Sequence, residues 1–524
     1  MIMSLNKEQM AKLRQVITEN LRIQQAGAKP VQYIDVHNAL SDICARQNHA
    51  VFARRGCGKT LLLHHSARGL SGDMQTIYLN CEDFKHHSFP NVLIEILDAL
   101  FAELEVHLTG WFGRKKRSRD LLRQIRQKLD TLRKEEDESN QGVVESHSVA
   151  KEDASAASVG AGLKGFKMSV DSTSRKGTTS AVELTYAKKT AKITELQTWL
   201  PQLKRQIRAF FELSNTIKAV FLQLDDFYHL ARRDQPEVMD YLHRLCKDLP
   251  LYFKVATLRH ASTLYADRAG QPIGAQERHD YQPINIDFTF SEFQKTSNQN
   301  RLIFYEFAKL AGLEAKDIDA LFKGTGFERL VMAGGGVPRD CLSLFLEVLQ
   351  NLDPSGDGRI GKDDVRIMSR SNFERRIEEL KQDSVGDEQA TLIQGIYVLR
   401  KFCIDKRTNV MMVSEEMMQQ DDQIRGLLYR LLDYRIIHSA GSALTHKSAA
   451  GTYQAFVIDI GCYANLRKLQ GRFTEIDVSD SGAREKMRST PILTKEHFVN
   501  LWAQVPIDVE EALRSEDEDT DVAN

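Results

Sequence analysis

Short apolar segments alternate with amphipathic segments between residues 48 and 290 of the chain. Short apolar runs bounded by turn residues predict buried strands, whereas apolar positions three or four apart predict helices. We therefore expect five strands, at 48–53, 76–80, 217–224, 251–256 and 284–288, separated by helices at 60–70, 90–108, 193–213 and 237–249. Strands that alternate with helices in this way are typical of an α/β fold with a parallel, doubly wound sheet.

One long stretch, 111–190, interrupts this alternation. It begins with a basic run at 114–134 and ends in sequence rich in Ser, Ala, Gly and Thr, at 155–180. Such composition is typical of an insertion that is flexible in part, and it could hold a hairpin of 166–170 with 182–186. We interpret the basic run as a solvated helix face in preference to a nucleic-acid groove, although both readings stay open.

The second half of the chain has a different pattern. It is helical throughout from 291 to about 379, and three further helices and two β-rich runs then predict a winged helix. The resulting division is an N-terminal helix at 1–30, a nucleotide-binding α/β core at 31–290, a helical lid at 291–385, a winged helix at 386–475 and a C-terminal segment with an acidic tail at 476–524.

A glycine-containing loop joins the first predicted strand to the next helix, with the sequence Ala53-Arg54-Arg55-Gly56-Cys57-Gly58-Lys59-Thr60-Leu61. It fits the phosphate-loop pattern, except that Ala53 replaces the first glycine. Gly56 and Gly58 allow backbone N–H groups to curve around phosphate oxygens, and the helix N-terminus adds positive potential. Lys59 is spaced to reach the terminal phosphates, and the Thr60 hydroxyl can bind Mg²⁺. We expect residues 53–61 to bind a nucleotide.

Two carboxylates, Asp225 and Asp226, end the third predicted strand. In phosphate-loop enzymes a carboxylate at this place serves Mg²⁺ and its water shell, which is the role expected of Asp225. Asp226 would polarise the attacking water as a general base. A further strand, 76–80, lies between the two motifs along the chain, as in the ATPase branch that has an additional catalytic carboxylate. The guanine motif Asn-Lys-x-Asp does not occur, which favours ATP, with Mg²⁺, as the ligand.

Two more motifs complete a pattern. Thr257 follows the fourth strand, and Gly334-Gly-Gly-Val-Pro-Arg339 begins a helix within 291–385. Together with the phosphate loop and the predicted winged helix, these motifs make residues 30–475 resemble the AAA+ ATPases. Within them, the chain is most similar to the initiator clade of origin-recognition and cell-division-control ATPases. The resemblance implies that Thr257 is a first sensor and that Arg339 is a second sensor, touching the γ-phosphate from the lid.

The resemblance also implies an assembly, either a homo-oligomer or a complex with a partner ATPase subunit. In such assemblies an arginine of the neighbouring subunit completes the site. The candidates lie between the fourth and fifth strands, and Arg278 is closer to the fifth strand than Arg268 is. Either residue could also be an ordinary surface arginine.

The target of the winged helix stays open between DNA and protein. Winged helices read DNA through the third helix, which here carries Arg425 and Arg430 but also nearby aspartates, so that its charge is balanced. The run 114–134 could add DNA contacts. Initiators usually have Asp-Glu where this chain has Asp225-Asp226, and Asp-Asp is more usual in STAND ATPases, which act as signalling switches. The alternative is therefore a STAND-like ATPase, for example in anti-phage defence, with Tyr429 and the strand 456–458 docking protein.

Composition narrows the class of protein. The 71 basic and 72 acidic residues nearly cancel, which excludes a wholly basic nucleic-acid coat. No apolar run reaches the ~18 residues that a membrane helix needs, and Met1–Gly27 lacks the apolar region of a secretory signal. Seven scattered cysteines without a CxxC pair indicate neither a disulfide framework nor a zinc ribbon. We expect a cytoplasmic protein of a reducing compartment, with no membrane partner.

Overall fold

The computed structural model describes residues 6–21, 31–108 except 37, 116–134, 170–351 except 215 and 269, 358–464 except 385, and 473–505. Most of the predicted hairpin segment 166–170 and the whole acidic tail lie outside these residues. Among the described helices, none is both long and apolar enough to cross a membrane.

A five-stranded sheet forms the centre of the α/β core. The strands of the core, in chain order, are β1 His49–Phe52, β2 Met74–Asn80, β3 Ala219–Asp225, β4 Leu251–Thr257, β5 Tyr265–Arg268, β6 Gln271–Gly274 and β7 Gln282–Asn285. All of them except β5 and β6 belong to this sheet. The sheet has the order β2-β3-β4-β1-β7, and every neighbouring pair is parallel. The predicted α/β class with a parallel sheet is confirmed. In the sheet, the strand between the phosphate-loop strand β1 and the carboxylate strand β3 is β4, whereas β2 lies at the edge.

The strands β5 and β6 pair with each other as a separate antiparallel hairpin. The sequence analysis did not predict them, because both are short and largely exposed and carry no apolar alternation. They hold Arg268, whose guanidinium pairs with Glu237.

Helices cover both faces of the sheet and form the next region of the chain. They are α1 Lys7–Asn20, α2 Ala39–Ile43, α3 Lys59–Arg68, α4 Asn91–Val106, α5 116–134, α6 Val170–Leu213, α7 Gln235–Cys246, α8 Phe293–Ala311, α9 Ala315–Ala320, α10 Gly326–Ala333, α11 Pro338–Asn351 and α12 Lys362–Asp383. The expected hairpin strand at 182–186 is wrong, because these residues lie within α6. The stretch that follows Ser180 is rich in Ala, Leu, Glu and Lys, which favour a helix, and up to residue 213 it contains no Gly, Asn or Asp, although α6 does include Pro201.

The basic run forms α5, which packs an apolar stripe that includes Leu122, Ile125 and Leu129 into the core. Its cations meet an acidic face of α4: the Arg133 guanidinium donates to Glu95 at 2.6 Å, and Arg126 donates to Asp98 at 3.0 Å. The positive charge that the sequence offered to nucleic acid is therefore largely balanced within the fold.

A C-terminal unit, residues 387–464, follows α12. Its elements are α13 Asp387–Asp405, β8 Val410–Ser414, α14 Glu415–Gln420, α15 Asp422–Asp433, β9 Ile437–Thr445 and β10 Thr452–Ile458, followed beyond the unit by α16 Ala483–Met487 and α17 Lys495–Trp502. The strands form an antiparallel sheet of order β8-β10-β9. β8 was not predicted, and its apolar residues are buried. Ser414 and Asp421 cap the N-termini of α14 and α15, which explains why two short helices follow one another here.

Buried charged residues join the C-terminal unit to α11 and α12. The Arg376 guanidinium donates to Asp340 at 3.0 Å and pairs with Asp459, and all three side chains are buried. Arg435 donates to the other oxygen of Asp340 at 3.1 Å. Buried charges are tolerated only when they are paired, so Arg376, Arg435, Asp340 and Asp459 form one cluster that holds the regions together. We call these four residues the buried ionic cluster.

We predict that Arg376→Met lowers the free energy of unfolding by about 3 kcal/mol or more, because it leaves two buried carboxylates without their shared cation. Arg46→Met is the matched control, since Arg46 is exposed and lies 3.9 Å from Asp73. It should cost less than about 1 kcal/mol. Urea unfolding followed by circular dichroism measures both changes, and equal costs for the two variants would contradict the role of the cluster.

Candidate functional site

The loop between β1 and α3 has the backbone that its glycines predict. Gly56 and Gly58 have φ values of 89° and 90°, which side-chain-bearing residues rarely adopt. A Cβ atom on Gly56 would lie 2.9 Å from both Arg339 Cβ and Val337 Cγ1. Glycine is therefore required at position 56 both by the backbone angle and by the close approach of the segment that begins α11.

Lys59 begins α3 and turns its side chain back across the loop. Its Nζ donates to the carbonyl oxygens of Ala53, at 3.1 Å, and Arg54, at 3.4 Å, and the residue is only 5% exposed. These two bonds use two of the three N–H groups of an ammonium. The ammonium group of Lys59 is thus held against the loop, and one of its three N–H groups is not used by these two bonds.

Arg54 anchors the loop through its side chain. Its Nε and Nη2 donate to the two carboxylate oxygens of Asp287 at 2.7 and 2.9 Å, and Nη1 donates to the Gly335 carbonyl at 2.8 Å. Although burial opposes ionisation, the adjacent Arg54 holds the pKa of Asp287 below its ordinary value. The guanidinium of Arg54 is therefore committed to the fold, and its backbone is the part left to face a ligand.

The next loop residues are also tied to distant parts of the chain. Arg55 donates to Asp383 of α12 at 2.5 Å, and its carbonyl accepts from Arg435 at 3.1 Å. Cys57 is buried, and Leu61 is half-buried in α3. The loop is consequently braced from behind by α12 and by the C-terminal unit.

The two carboxylates lie beside this loop, as the sequence predicts for parallel strands that end at one edge. Asp225 is fully buried and accepts from the Tyr78 hydroxyl at 2.8 Å, from the backbone N–H of Asp226 at 2.9 Å and from the Thr60 hydroxyl. Burial and the neighbouring Asp226 raise the pKa of Asp225. Adjacent carboxylates beside a threonine hydroxyl are a donor set that suits a hard divalent cation, so these residues fit Mg²⁺.

Asp226 itself has a left-handed backbone, with φ of 48°. Aspartate tolerates this conformation better than most residues do. The turn directs the chain from β3 into a short 3₁₀ segment, Phe227–His229.

Arg339 lies against the loop, and its guanidinium is incompletely paired. Its backbone N–H donates to the Gly56 carbonyl at 3.3 Å, so that the side chain begins directly over the phosphate loop. Its Nη2 is buried, has no hydrogen-bond partner within the described part of the chain, and lies 3.8 Å from the nearest carboxylate oxygen, on Glu379. Burial and the nearby Arg435 lower the pKa of Arg339. An unsatisfied buried donor of positive charge beside a glycine loop fits a phosphate group.

The remaining predicted residues lie in two places. Thr257 ends β4 opposite Phe52 of β1, which puts it beside the start of the loop, and its buried hydroxyl is bonded to Ser262 Oγ at 2.5 Å. Arg278 is exposed in the turn before β7, with φ of 67°. Arg268 is exposed on β5 and paired with Glu237.

Several residues of the C-terminal unit contact the site, and the sequence analysis missed these contacts. Asp433, at the end of α15, is buried and accepts from the backbone N–H groups of His260 and Ala261, at 2.8 and 2.7 Å, just after β4. Tyr429 stacks on the His260 ring with centroids 4.3 Å apart. The expectation that Tyr429 and the strand 456–458 dock a protein partner is wrong for the structure described, because Tyr429 packs on His260 and residues 456–458 are buried in β10. No local sequence pattern predicts the contacts of Asp433 with His260 and Ala261, which are 173 and 172 positions away in the chain.

Comparisons with known proteins give distant likenesses. Neither a family model nor a curated protein matches the chain. Similar solved structures include the ORC2 protein of Aeropyrum pernix in ADPNP and ADP complexes, 13% identical, covering 93% of this chain and 96% of that chain, with a TM-score of 0.35. A Walker-type ATPase of Pyrococcus abyssi is 12% identical, covering 82% and 95%, with a TM-score of 0.36. A chain of Drosophila ORC bound to DNA is 12% identical, covering 88% and 92%, with a TM-score of 0.34.

We predict that Asp433 makes stability fall as pH rises. Burial raises the pKa of Asp433 to about 7 in the folded chain, against about 4 for an unfolded aspartate. The folded state therefore holds a proton that the unfolded state has lost. The stabilisation is complete below about pH 4 and is lost as pH rises through about 7.

Asp433→Asn retains a side-chain oxygen that can accept from the two backbone N–H groups, but it removes the ionisable carboxyl group. Relative to the parent, its free energy of unfolding should therefore rise between pH 4 and 7, which urea unfolding at several pH values measures. Asp422→Asn, on an exposed residue of the same helix, is the control and should run parallel to the parent. A parallel curve for Asp433→Asn as well would contradict the prediction.

Proposed function

We propose that this chain is an AAA+ ATPase that binds Mg·ATP at residues 53–61 and hydrolyses it. The observation that carries the proposal is the buried, unpartnered Nη2 of Arg339 over Gly56, because it joins a second cation to the Lys59 loop at the place where phosphates bind. The parallel sheet with β4 between β1 and β3, and the two carboxylates beside the loop, support the same function.

The residues divide the chemistry among them. Lys59 and Arg339 would neutralise the phosphates, and the backbone N–H groups of the loop would bind their oxygens. Mg²⁺, held through Thr60 and Asp225, would supply positive charge between the phosphate oxygens. Asp226 would accept the proton of the attacking water, and Thr257 would act beside the γ-phosphate.

The proposal extends to the organisation of the chain. It assigns a nucleotide-binding core to 31–290, a lid to 291–385 and a winged helix to 386–475. If the enzyme assembles with copies of itself or with a partner ATPase subunit, the exposed Arg278, or Arg268, would complete the neighbouring site.

The contacts of α15 favour a signalling ATPase over a DNA-associated initiator. Reading DNA requires the third helix of a winged helix to enter the major groove. Here Tyr429 and Asp433 of that helix contact the core, and Arg430 donates to Glu388 of α13 at 2.7 Å. A winged helix that packs on its own ATPase core through this helix suits a nucleotide-dependent switch whose winged helix docks protein. The initiator-like function remains the second candidate, because it needs only the release of this unit.

We predict that Asp226→Asn binds Mg·ATP with near-parental affinity but hydrolyses it at least about 100-fold more slowly, because general-base catalysis contributes roughly 10²–10⁴. Lys59→Ala should instead lose binding, since it removes the cation of the loop. Calorimetry with the full chain measures binding, and phosphate release measures turnover.

Lys316→Ala is the matched control for lysine removal, because Lys316 is exposed on α9 and pairs with Glu314. It should resemble the parent in both assays. Parental turnover in Asp226→Asn would place the catalytic carboxylate elsewhere, and parental binding in Lys59→Ala would remove the phosphate-loop claim.

A second prediction separates the two candidates. In the signalling account, any binding of the full chain to duplex DNA is weak and unaffected by Arg425→Ala or Arg430→Ala, with Mg·ATP present or absent. Fluorescence anisotropy over a salt series measures it, since each phosphate contact contributes a slope of about −0.9. Arg46→Ala serves as the control. If either α15 variant lowers affinity and slope while Arg46→Ala does not, the initiator-like function is correct.

A further inference from the structure

Several buried polar atoms that lack hydrogen-bond partners among the described residues belong to side chains around the phosphate loop. They include Nη2 of Arg339, Nε of Arg435, the hydroxyl oxygen of Tyr228 and Nε2 of His229. A polar group that is buried without a partner costs about 1–3 kcal/mol. Such groups in a folded protein call for an explanation, and one explanation is a ligand that supplies the missing partner.

Tyr228 is two residues from Asp226, in the 3₁₀ segment that follows β3. Its ring centroid lies 6.0 Å from Nζ of Lys59 and 4.4 Å from the ring of His229. The Tyr228 ring therefore lies close to Lys59, the lysine proposed to bind the terminal phosphates. The hydroxyl oxygen is inaccessible to solvent although the residue as a whole is only half-buried.

The surroundings of the hydroxyl make it a donor. Burial and the charge of Asp226 raise the pKa of Tyr228 well above its ordinary value, although Arg55 and Arg339 act in the opposite direction. A phenolic hydroxyl carries one O–H donor, so the Tyr228 hydroxyl can donate a hydrogen bond.

The Tyr228 hydroxyl lacks an acceptor among the described residues, and its ring lies 6.0 Å from Nζ of Lys59, the lysine proposed to bind the terminal phosphates. We propose that the Tyr228 hydroxyl donates a hydrogen bond to the terminal phosphate of a bound nucleoside triphosphate. A nucleoside diphosphate lacks that group and leaves the hydroxyl unpaired. Tyr228 is then a specificity-determining residue that favours the triphosphate, an inference that rests on the proposed ATP site.

The test is the affinity of full-length Tyr228→Phe for a non-hydrolysable Mg·ATP analogue and for Mg·ADP, both by calorimetry. A hydrogen bond to a charged acceptor is worth about 1.5–3 kcal/mol, so affinity for the ATP analogue should fall about tenfold or more. Affinity for ADP should stay within about twofold of the parent, because the lost group has no partner in that complex. Equal losses for both nucleotides, or no loss for either, would overturn the proposal.

A stability measurement guards against a structural explanation. Without ligand, Tyr228→Phe should melt at the parental temperature or above it, because it removes an unpaired buried hydroxyl. Tyr241→Phe is the matched control: its buried hydroxyl donates to the Leu196 carbonyl at 3.2 Å, so that it should melt lower and bind both nucleotides as the parent does. A lower melting temperature for Tyr228→Phe would show that the hydroxyl is already partnered and would overturn the proposal. A parent that binds neither nucleotide would remove the proposed function itself, and the assignment of Tyr228 with it.

Discussion

The pairing of buried charge around the phosphate loop is the constraint on which the rest of the structure depends. Arg54, which follows the first loop residue, is buried and must be neutralised, and Asp287 after β7 does so with two hydrogen bonds. Arg435 and Arg376 share Asp340 at the start of α11 in the same way. Because each of these cations has a carboxylate from another region, the core, the helical region and the C-terminal unit meet at one place.

Arg339 is less fully paired than Arg54 or Arg376. Its backbone N–H bonds to the Gly56 carbonyl, yet its nearest carboxylate oxygen is 3.8 Å away and its Nη2 is unpartnered within the described chain. Under the proposed function, this nitrogen would bind the negative charge of a ligand phosphate. The hydroxyl of Tyr228 is also unpartnered within the described chain, and the Tyr228 ring lies 6.0 Å from Nζ of Lys59.

The C-terminal unit is part of the site as well as a neighbour of it. Arg435 reaches the carbonyl of Arg55, Asp433 holds the backbone that follows β4, and His438 Nδ1 lies 3.5 Å from Arg54 Nη1. A shift of the loop or of the β4 end on binding a phosphate would alter these contacts directly. The loop and the end of β4 are thus joined directly to the C-terminal unit by these contacts.

Much of this architecture was predictable from local sequence. Four strands of the main sheet follow from apolar runs, whereas the fifth was predicted at 284–288 and lies at Gln282–Asn285. The loop 53–60 and the carboxylates Asp225 and Asp226 follow from motif chemistry that depends on spacing alone. The hairpin β5–β6 was missed because its strands are short and largely exposed and show no apolar alternation. The strand β8 was predictable by the same argument as β1, because it is also a buried apolar run. The ion pairs of Arg54 and Arg435 could not be predicted, since their partners lie far along the chain. Tyr228 was within reach, because it stands next to the carboxylates, but only the structure shows that its hydroxyl is unpaired.

The most direct measurement of the central claim is calorimetric titration of the unmodified full-length chain with a non-hydrolysable Mg·ATP analogue. The account predicts saturable binding of one nucleotide per chain, because the loop, the carboxylates and Arg339 all come from the same chain. It also predicts tighter binding of the analogue than of Mg·ADP, since Arg339 and Tyr228 would both bind the terminal phosphate, which ADP lacks. Absence of binding, or equal affinity for the two nucleotides, would contradict it.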